Sequence, residues 1–253
     1  MYKTTPAIML LLCSLLLRAQ DGPQLPGMGF DQWTRNGSTW YPYSERTPEG
    51  RRVWDSSNKG MSPLGVNSTE PDFEHLAVPG KGKAAAKIRS RKILWAFVTG
   101  NLMTGRFARV VKLSGAEMYF GVPFSARPKS LSGWYHYVPG IIDYAKDPYK
   151  KMMGKKDKGR IEVILTDWKE PYHIITTEER FMVADGDPHV IGRAELVPDR
   201  DTGGYLHFDI PINYTSDATP TYVVITAISS IYGEYFTGSS NSVLWVDDFK
   251  FNY

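Results

Sequence analysis

Apolar and polar residues alternate over several stretches of the chain, as they do in β-strands that bury one face. Residues 160–168 place Ile161, Val163 and Leu165 on one face. Residues 222–230 are instead continuously apolar and β-branched, which is typical of a strand buried at the centre of a sheet. The same patterns predict further strands at 84–91, 92–99, 118–124, 190–197, 205–214 and 242–253.

The last predicted strand, 242–253, has an interruption in its pattern. Val243, Trp245, Phe249 and Phe251 fall on one face, and Asp247 breaks that row. Because alternate side chains of a strand point to opposite sides, we expect the four apolar residues to face the core together.

Turn-forming residues separate the predicted strands, and helical periodicity is weak. Clusters of Gly, Pro, Asp and Ser occur at 78–82, 200–204, 216–220 and 237–241. Residues 143–158 contain Pro148 and several lysines, so they are predicted to form a solvated loop. Many short strands joined by such turns predict an all-β fold, a two-sheet β-sandwich of the jelly-roll type.

The first residues are predicted to lie outside this fold. A short basic start and an apolar run indicate a signal peptide at 1–19, with a membrane anchor or lipidation of Cys13 as alternatives. The Pro- and Gly-rich residues 20–29 are predicted to be a tail or linker, and 30–253 a single β jelly-roll domain. We therefore expect export to the periplasm, cell surface or medium, with no transmembrane segment in the mature chain.

Composition narrows the class of protein. The 253 residues are 42% hydrophobic, 13% aromatic and 23% charged, which excludes a disordered chain. The single cysteine excludes a disulfide scaffold and a cysteine-rich zinc site. A net charge of +3 argues against nucleic acid as a partner.

Sequence motifs of common catalytic sites are missing from the chain. It has no P-loop, no dinucleotide-binding glycine fingerprint, no Gly-x-Ser-x-Gly and no His-Glu-x-x-His. Glycoside hydrolysis needs only two suitably spaced carboxylates, and Glu162, Glu195 and Asp209 alternate away from apolar strand faces. These three residues are the catalytic candidates, with solvated surface carboxylates as the alternative.

Two aromatic clusters suggest a sugar-binding site. Trp40-Tyr-Pro-Tyr43 and Trp134-Tyr-His-Tyr137 lie beside turn residues. Aromatic rings can stack on the C–H faces of sugars while polar groups bond the hydroxyls. The predicted ligand-binding residues are Arg127, Trp134, Tyr135 and Tyr137, with Trp40 or Tyr41 as further platforms; alternatively, the rings close the ends of the sandwich.

The adjacent aspartates Asp247 and Asp248 near the C-terminus suggest a cation site. Calcium prefers carboxylate and carbonyl oxygens. Neighbouring strand residues point to opposite faces, so only one aspartate of the pair could be a ligand. We select Asp248, with Asp31 as its partner, for a structural Ca²⁺; a salt-bridged or solvated aspartate is the alternative.

An ordered set of short motifs resembles a known family. The motifs are Trp54-Asp-Ser-Ser-Asn-Lys-Gly60, Gly100-Asn-Leu-Met-Thr-Gly105, Gly121-Val-Pro-Phe-Ser-Ala-Arg-Pro128, Gly133-Trp-Tyr-His-Tyr-Val-Pro-Gly140, Tyr222-Val-Val-Ile, Tyr232-Gly-Glu-Tyr-Phe-Thr-Gly238 and Leu244-Trp-Val-Asp-Asp-Phe249. Together they resemble the putative carbohydrate metabolism domain, found in secreted proteins of Bacteroidetes. The resemblance implies a β jelly roll similar to carbohydrate-binding modules, and export. It brings no established catalytic residues.

Three functions are compatible with these observations. The favoured hypothesis is a secreted, non-catalytic protein that binds an oligo- or polysaccharide. The alternatives are a glycoside hydrolase or lyase that uses a carboxylate pair, and a structural or adhesive surface protein. The choice of glycan and the oligomeric state are left open.

Overall fold

The computed structural model describes residues 22–93, 96–112, 115–178, 183 and 186–253. The predicted signal peptide, Cys13 included, lies outside the described residues. Within the part of the chain that is described, no helix has the length and apolar character needed to cross a bilayer.

Short antiparallel strands make up most of the ordered structure. One helical turn, α1 (Asn58–Met61), and 3₁₀ turns at Glu49–Arg51, Ser62–Leu64, Lys150–Met152 and Gly233–Tyr235 accompany them. In chain order the strands are β1 (Thr34–Asn36), β2 (Thr39–Tyr41), β3 (Trp54–Asp55), β4 (Thr69–Asp72), β5 (Ala85–Arg89), β6 (Arg91–Ile93), β7 (Ala96–Val98), β8 (Asn101–Val111), β9 (Gly115–Phe120), β10 (Val122–Pro123), β11 (Ser130–Val138), β12 (Arg160–Thr166), β13 (Tyr172–Ile175), β14 (Val190–Leu196), β15 (Leu206–Pro211), β16 (Asn213–Tyr214), β17 (Tyr222–Ile228) and β18 (Val243–Asn252).

Two sheets form the sandwich. The large sheet has the strand order β13-β9-β8-β17-β12-β14-β16, with β3 added beside β8 and β10 beside β17. The five-stranded sheet has the order β15-β11-β18-β5-β4. Hairpins β1–β2 and β6–β7 lie outside both sheets. The predicted fold class, an all-β jelly-roll sandwich, is confirmed.

The core lies between the inner faces of the two sheets. Ile161, Val163 and Leu165 of β12 point into it, as their alternation predicts. From the opposite sheet, Leu131 and Tyr137 of β11 join the same cluster. All five side chains are shielded from solvent, and such burial supplies most of the favourable free energy of folding.

A β-bulge in β18 changes which of its residues are buried. Asp248 has a φ of 47°, and the pairing with β11 shifts between Ser132 and Trp134. Leu244 and Val246 therefore face the core before the bulge, and Phe249 and Phe251 face it after. The expectation that Val243 and Trp245 share a face with Phe249 is wrong, because the extra residue reverses the alternation.

Part of the predicted N-terminal tail belongs to the fold. Leu25 and Met28 are buried in the main core. The Gln24 side-chain amide donates to the carbonyl oxygen of Phe251 over 2.8 Å and accepts from its backbone N–H, also over 2.8 Å. The described portion of 20–29 is thus attached along β18 and is not a free linker.

The last strand provides a test of how much the sandwich depends on core packing. Phe251→Ala removes a fully buried ring, so we expect a loss of about 3–5 kcal/mol in the free energy of unfolding. Phe73→Ala is the matched control, because Phe73 is 57% exposed and should cost less than about 1 kcal/mol. Urea titration followed by tryptophan fluorescence compares them, and equal losses would contradict the assigned core.

Candidate functional site

A cleft of about 890 Å³ opens between the β1–β2 hairpin and the paired strands β8 and β9. We call it the tyrosine–arginine cleft. Its defining side chains are Tyr41, Tyr43, Arg52, Asp55, Arg106 and Tyr119, and Glu45, Glu49 and Lys59 also line it.

One wall combines two tyrosines and an arginine. The rings of Tyr41 and Tyr43 are tilted against each other with centroids 5.5 Å apart. The Arg52 guanidinium lies 4.1 Å from the centre of the Tyr43 ring and donates to the Tyr43 hydroxyl over 3.3 Å. Burial raises the pKa of both tyrosines, so their hydroxyls stay protonated at neutral pH. This wall offers apolar ring surface together with hydrogen-bond donors.

The opposite wall is built where β8 and β9 approach closely. Gly105 has a φ of 134°, and a Cβ there would lie 2.1 Å from the carbonyl oxygen of Tyr119. Only glycine permits this approach. The next residue, Arg106, pairs in register with Tyr119, and its guanidinium lies 4.6 Å from the centre of that ring. The second wall therefore repeats the arginine-on-tyrosine arrangement of the first.

The carboxyl group of Asp55 is held inside the cleft by backbone donors. The N–H groups of Ser56 and Phe107 each donate to one carboxyl oxygen over 2.8 Å. Burial raises the pKa of Asp55 to about 6, against the lowering effect of these hydrogen bonds and of Lys59 and Arg52. The group is fixed in position, and each oxygen keeps capacity for a further hydrogen bond.

Of the two predicted additional platforms, only Tyr41 lines the cleft. Trp40 precedes it on β2 and points the other way, where it contacts Phe73 edge-on at 6.1 Å and lies 5.3 Å from the Arg35 guanidinium. The alternation of a strand separates these neighbouring rings.

The structure does not bring the predicted residues Trp134, Tyr135 and Tyr137 together. Tyr137 is fully buried and donates to the carbonyl oxygen of Ser229, and Tyr135 packs against the main core. Trp134 lies on the outer face of the five-stranded sheet, edge-on to His207 at 5.1 Å. Because the segment is a strand, its rings divide between the core and the outer face.

Residues 72–77 cover part of that outer face. The Trp245 indole donates to Asp72 over 2.9 Å, and the Ala77 N–H donates to Asp247 over 3.0 Å. The Tyr205 hydroxyl donates to the carbonyl oxygen of His75 over 2.8 Å. Trp245 and Tyr205 therefore hold residues 72–77 against the outer face of the sheet through hydrogen bonds.

Arg127, a predicted ligand-binding residue, lies outside the tyrosine–arginine cleft and makes structural contacts. Its guanidinium donates to the carbonyl oxygens of Ser216 and Ala218 and lies 4.1 Å from the centre of the Tyr214 ring. These contacts hold the turn after β16 in place.

The predicted catalytic carboxylates are divided between the two sheets. Asp209 lies on β15 of the five-stranded sheet, whereas Glu162 and Glu195 are register partners on β12 and β14 of the large sheet. Glu162 is only 2% exposed and accepts from Arg193 over 2.7 Å. A polysaccharide cannot reach it, so these carboxylates do not form an accessible hydrolytic pair.

Asp31 and Asp248 do lie near each other. A carboxyl oxygen of each is within 3.6 Å of the position that a Cβ on Gly29 would take. Asp31 accepts from the backbone N–H groups of Lys83 and Ala84, and Asp248 forms an ion pair with Lys81 at 2.6 Å. Among the described residues, no three His, Cys, Asp or Glu side chains are grouped to hold a metal ion. Asp248 therefore forms the salt bridge that was the alternative to a calcium site.

Sequence reasoning missed most of the cleft. Tyr43 belongs to the aromatic cluster Trp40–Tyr43, and Asp55 belongs to the motif Trp54–Gly60, but neither pattern marks these two residues as binding residues. Arg52, Arg106 and Tyr119 carried no local signal. They meet only through the pairing of β8 with β9 and the position of the hairpin.

A family comparison agrees with the fold. The model of the putative carbohydrate metabolism domain matches residues 29–252. No curated protein sequence matches the chain.

Two crystal structures share the architecture. One is a putative glycoside hydrolase from Bacteroides thetaiotaomicron VPI-5482, with a TM-score of 0.64 and 21% identity over 89% of this chain and 70% of that one. The other is a putative glycoside hydrolase from Bacteroides vulgatus ATCC 8482, with a TM-score of 0.63 and 17% identity over 88% of this chain and 96% of that one. At these identities the likeness shows a common fold.

The raised pKa of Asp55 predicts a pH-dependent stability. Between its ordinary pKa of 3.8 and its folded pKa of about 6, the unfolded chain loses the proton while the folded chain keeps it. The free energy of unfolding should therefore fall as pH rises through this window, by about 1–3 kcal/mol for this group.

The Asp55→Asn variant isolates this effect. Burial also raises the pKa of Asp247 to about 6. Asp247 therefore makes the free energy of unfolding fall with rising pH in both the wild type and the variant. Urea unfolding at pH 4 and pH 7 should show the smaller decline in the variant. Parallel declines would contradict the assigned environment of Asp55.

Proposed function

Because the chain belongs to the putative carbohydrate metabolism domain family, we propose that it binds an oligo- or polysaccharide in the tyrosine–arginine cleft without cleaving it. The observation that carries this proposal is the pairing of tyrosine rings with arginines around one fixed carboxyl group.

The cleft matches the two-sided chemistry of a sugar ring. The C–H face of a sugar is apolar and packs on aromatic rings, which Tyr41, Tyr43 and Tyr119 supply. The surrounding hydroxyls need donors and acceptors, which Arg52 and Asp55 supply. Since arginine contacts hold Tyr43 and Tyr119, less conformational entropy is lost on binding.

Binding is better supported than cleavage. A glycosidase needs two accessible carboxylates at a suitable separation, one of them free to transfer a proton. Both oxygens of Asp55 accept backbone hydrogen bonds, which hold this carboxyl group in place as an acceptor for sugar hydroxyls. The buried carboxylate of Glu162 accepts a hydrogen bond from Arg193. These contacts favour recognition of the glycan over acid–base chemistry.

Substitution of the cleft residues tests the proposal directly. Tyr43→Ala and Arg52→Ala should each weaken glycan binding at least tenfold, or about 1.4 kcal/mol, because they remove a stacking surface or its charged donor. Affinity gel electrophoresis of the mature protein on a panel of plant, host and microbial polysaccharides measures the change.

Arg127→Ala is the control variant, since it removes an arginine–tyrosine contact outside the cleft. It should lower the melting temperature and leave glycan retardation unchanged. Loss of retardation in Arg127→Ala alone, or no retardation of the wild-type protein on any glycan, would overturn the proposal.

We also propose that residues 1–19 direct export and are then removed. The basic start followed by a short apolar run supports this proposal. Expression with the native leader should give a protein whose N-terminal residue is Gln20, as read by mass spectrometry of the intact protein and of its N-terminal peptide, with Gln20 free or cyclised to pyroglutamate. An intact leader on the purified protein would contradict it.

A further inference from the structure

A second cavity, of about 380 Å³, lies on the outer face of the large sheet. Its walls are mostly apolar and are rich in methionine and phenylalanine. The methionine and phenylalanine residues of its lining include Met61, Phe97, Met103, Phe107, Met118 and Phe236. We call this space the methionine cavity. A volume of this size is typical of small-molecule sites.

Three residues that line the methionine cavity each carry a buried side-chain polar atom with no hydrogen-bond partner among the described residues. The atoms are Arg160 Nε, Thr226 Oγ1 and Thr99 Oγ1. Thr226 is only 5% exposed. Buried polar groups are nearly always bonded, so three unpaired atoms at one cavity indicate a group that pairs with them.

The charge around Arg160 limits what that group can be. Arg160 Nε lies 3.8 Å from a carboxyl oxygen of Glu162 and 4.0 Å from one of Glu195, both beyond hydrogen-bond distance. Its Nη2 lies 3.4 Å from Glu234. Several carboxylates already balance the guanidinium charge, so a ligand carboxylate would be repelled. A neutral oxygen can accept from the Nε–H, which is within hydrogen-bond distance of neither Glu162 nor Glu195, and from the threonine hydroxyls.

We propose that the methionine cavity binds a neutral aromatic compound that carries a hydrogen-bond-accepting oxygen. The ring lies among the methionine and phenylalanine side chains, because thioether sulfur makes favourable contacts with aromatic rings. The oxygen meets Arg160 Nε and the hydroxyl of Thr226. This site is separate from the tyrosine–arginine cleft and goes beyond glycan binding.

A neutral fluorescent ketone tests the proposal. Prodan, a propionyl-naphthylamine, has the required ring and carbonyl oxygen, and its emission shifts to the blue in an apolar site. Titration into the mature protein should give saturable binding with a blue shift. 2-Dimethylaminonaphthalene, which lacks the carbonyl, and the analogue with a carboxylate in its place should each bind at least fivefold more weakly.

Two variants locate the bound probe. Thr226→Val keeps the shape of the side chain and removes the hydroxyl, so it should weaken Prodan about fivefold and leave 2-dimethylaminonaphthalene unchanged. Val110→Trp lies at the cavity rim, where the side chain is 45% exposed, and should block both probes without disturbing the core.

Glycan retardation of both variants should equal that of the wild type, which separates this proposal from the one on the tyrosine–arginine cleft. Absence of saturable Prodan binding, or binding that neither variant changes, would overturn the proposal. Tighter binding of the carboxylate analogue would also overturn it.

Discussion

Burial of the two facing sides of the sheets holds the sandwich together, and the large sheet buries a second apolar cluster on its outer side. Leu244 and Val246 enter the core from β18, and the bulge at Asp248 lets Phe249 and Phe251 enter it as well. The same bulge leaves Trp245 and Asp247 on the outer face. Core packing therefore determines the outer surface, because a strand has only two faces.

The tyrosine–arginine cleft lies where regular pairing is distorted. Gly105 brings β8 against β9 so closely that no side chain fits, and Arg106 and Tyr119 emerge beside this contact. The paired strands β8 and β9 on one side and the short β1–β2 hairpin on the other position the ring surfaces. In many proteins, regular sheets position binding side chains that come from loops and short hairpins in this way.

The parts predictable from sequence were those that local alternation determines. Ile161, Val163 and Leu165 are buried as expected, and the all-β sandwich followed from many such runs. Aromatic density at residues 134–137 does not reveal that the segment is a strand, whose rings divide between two faces and do not form one surface. The cleft was largely missed because it joins Tyr43, Asp55 and Tyr119 through register and hairpin position, which no local pattern encodes.

Phe107 lines both the tyrosine–arginine cleft and the methionine cavity. Its backbone N–H donates a hydrogen bond to Asp55 in the cleft. One buried phenylalanine residue therefore forms part of the lining of both spaces, so a substitution at Phe107 would alter the wall of the tyrosine–arginine cleft and the wall of the methionine cavity at once.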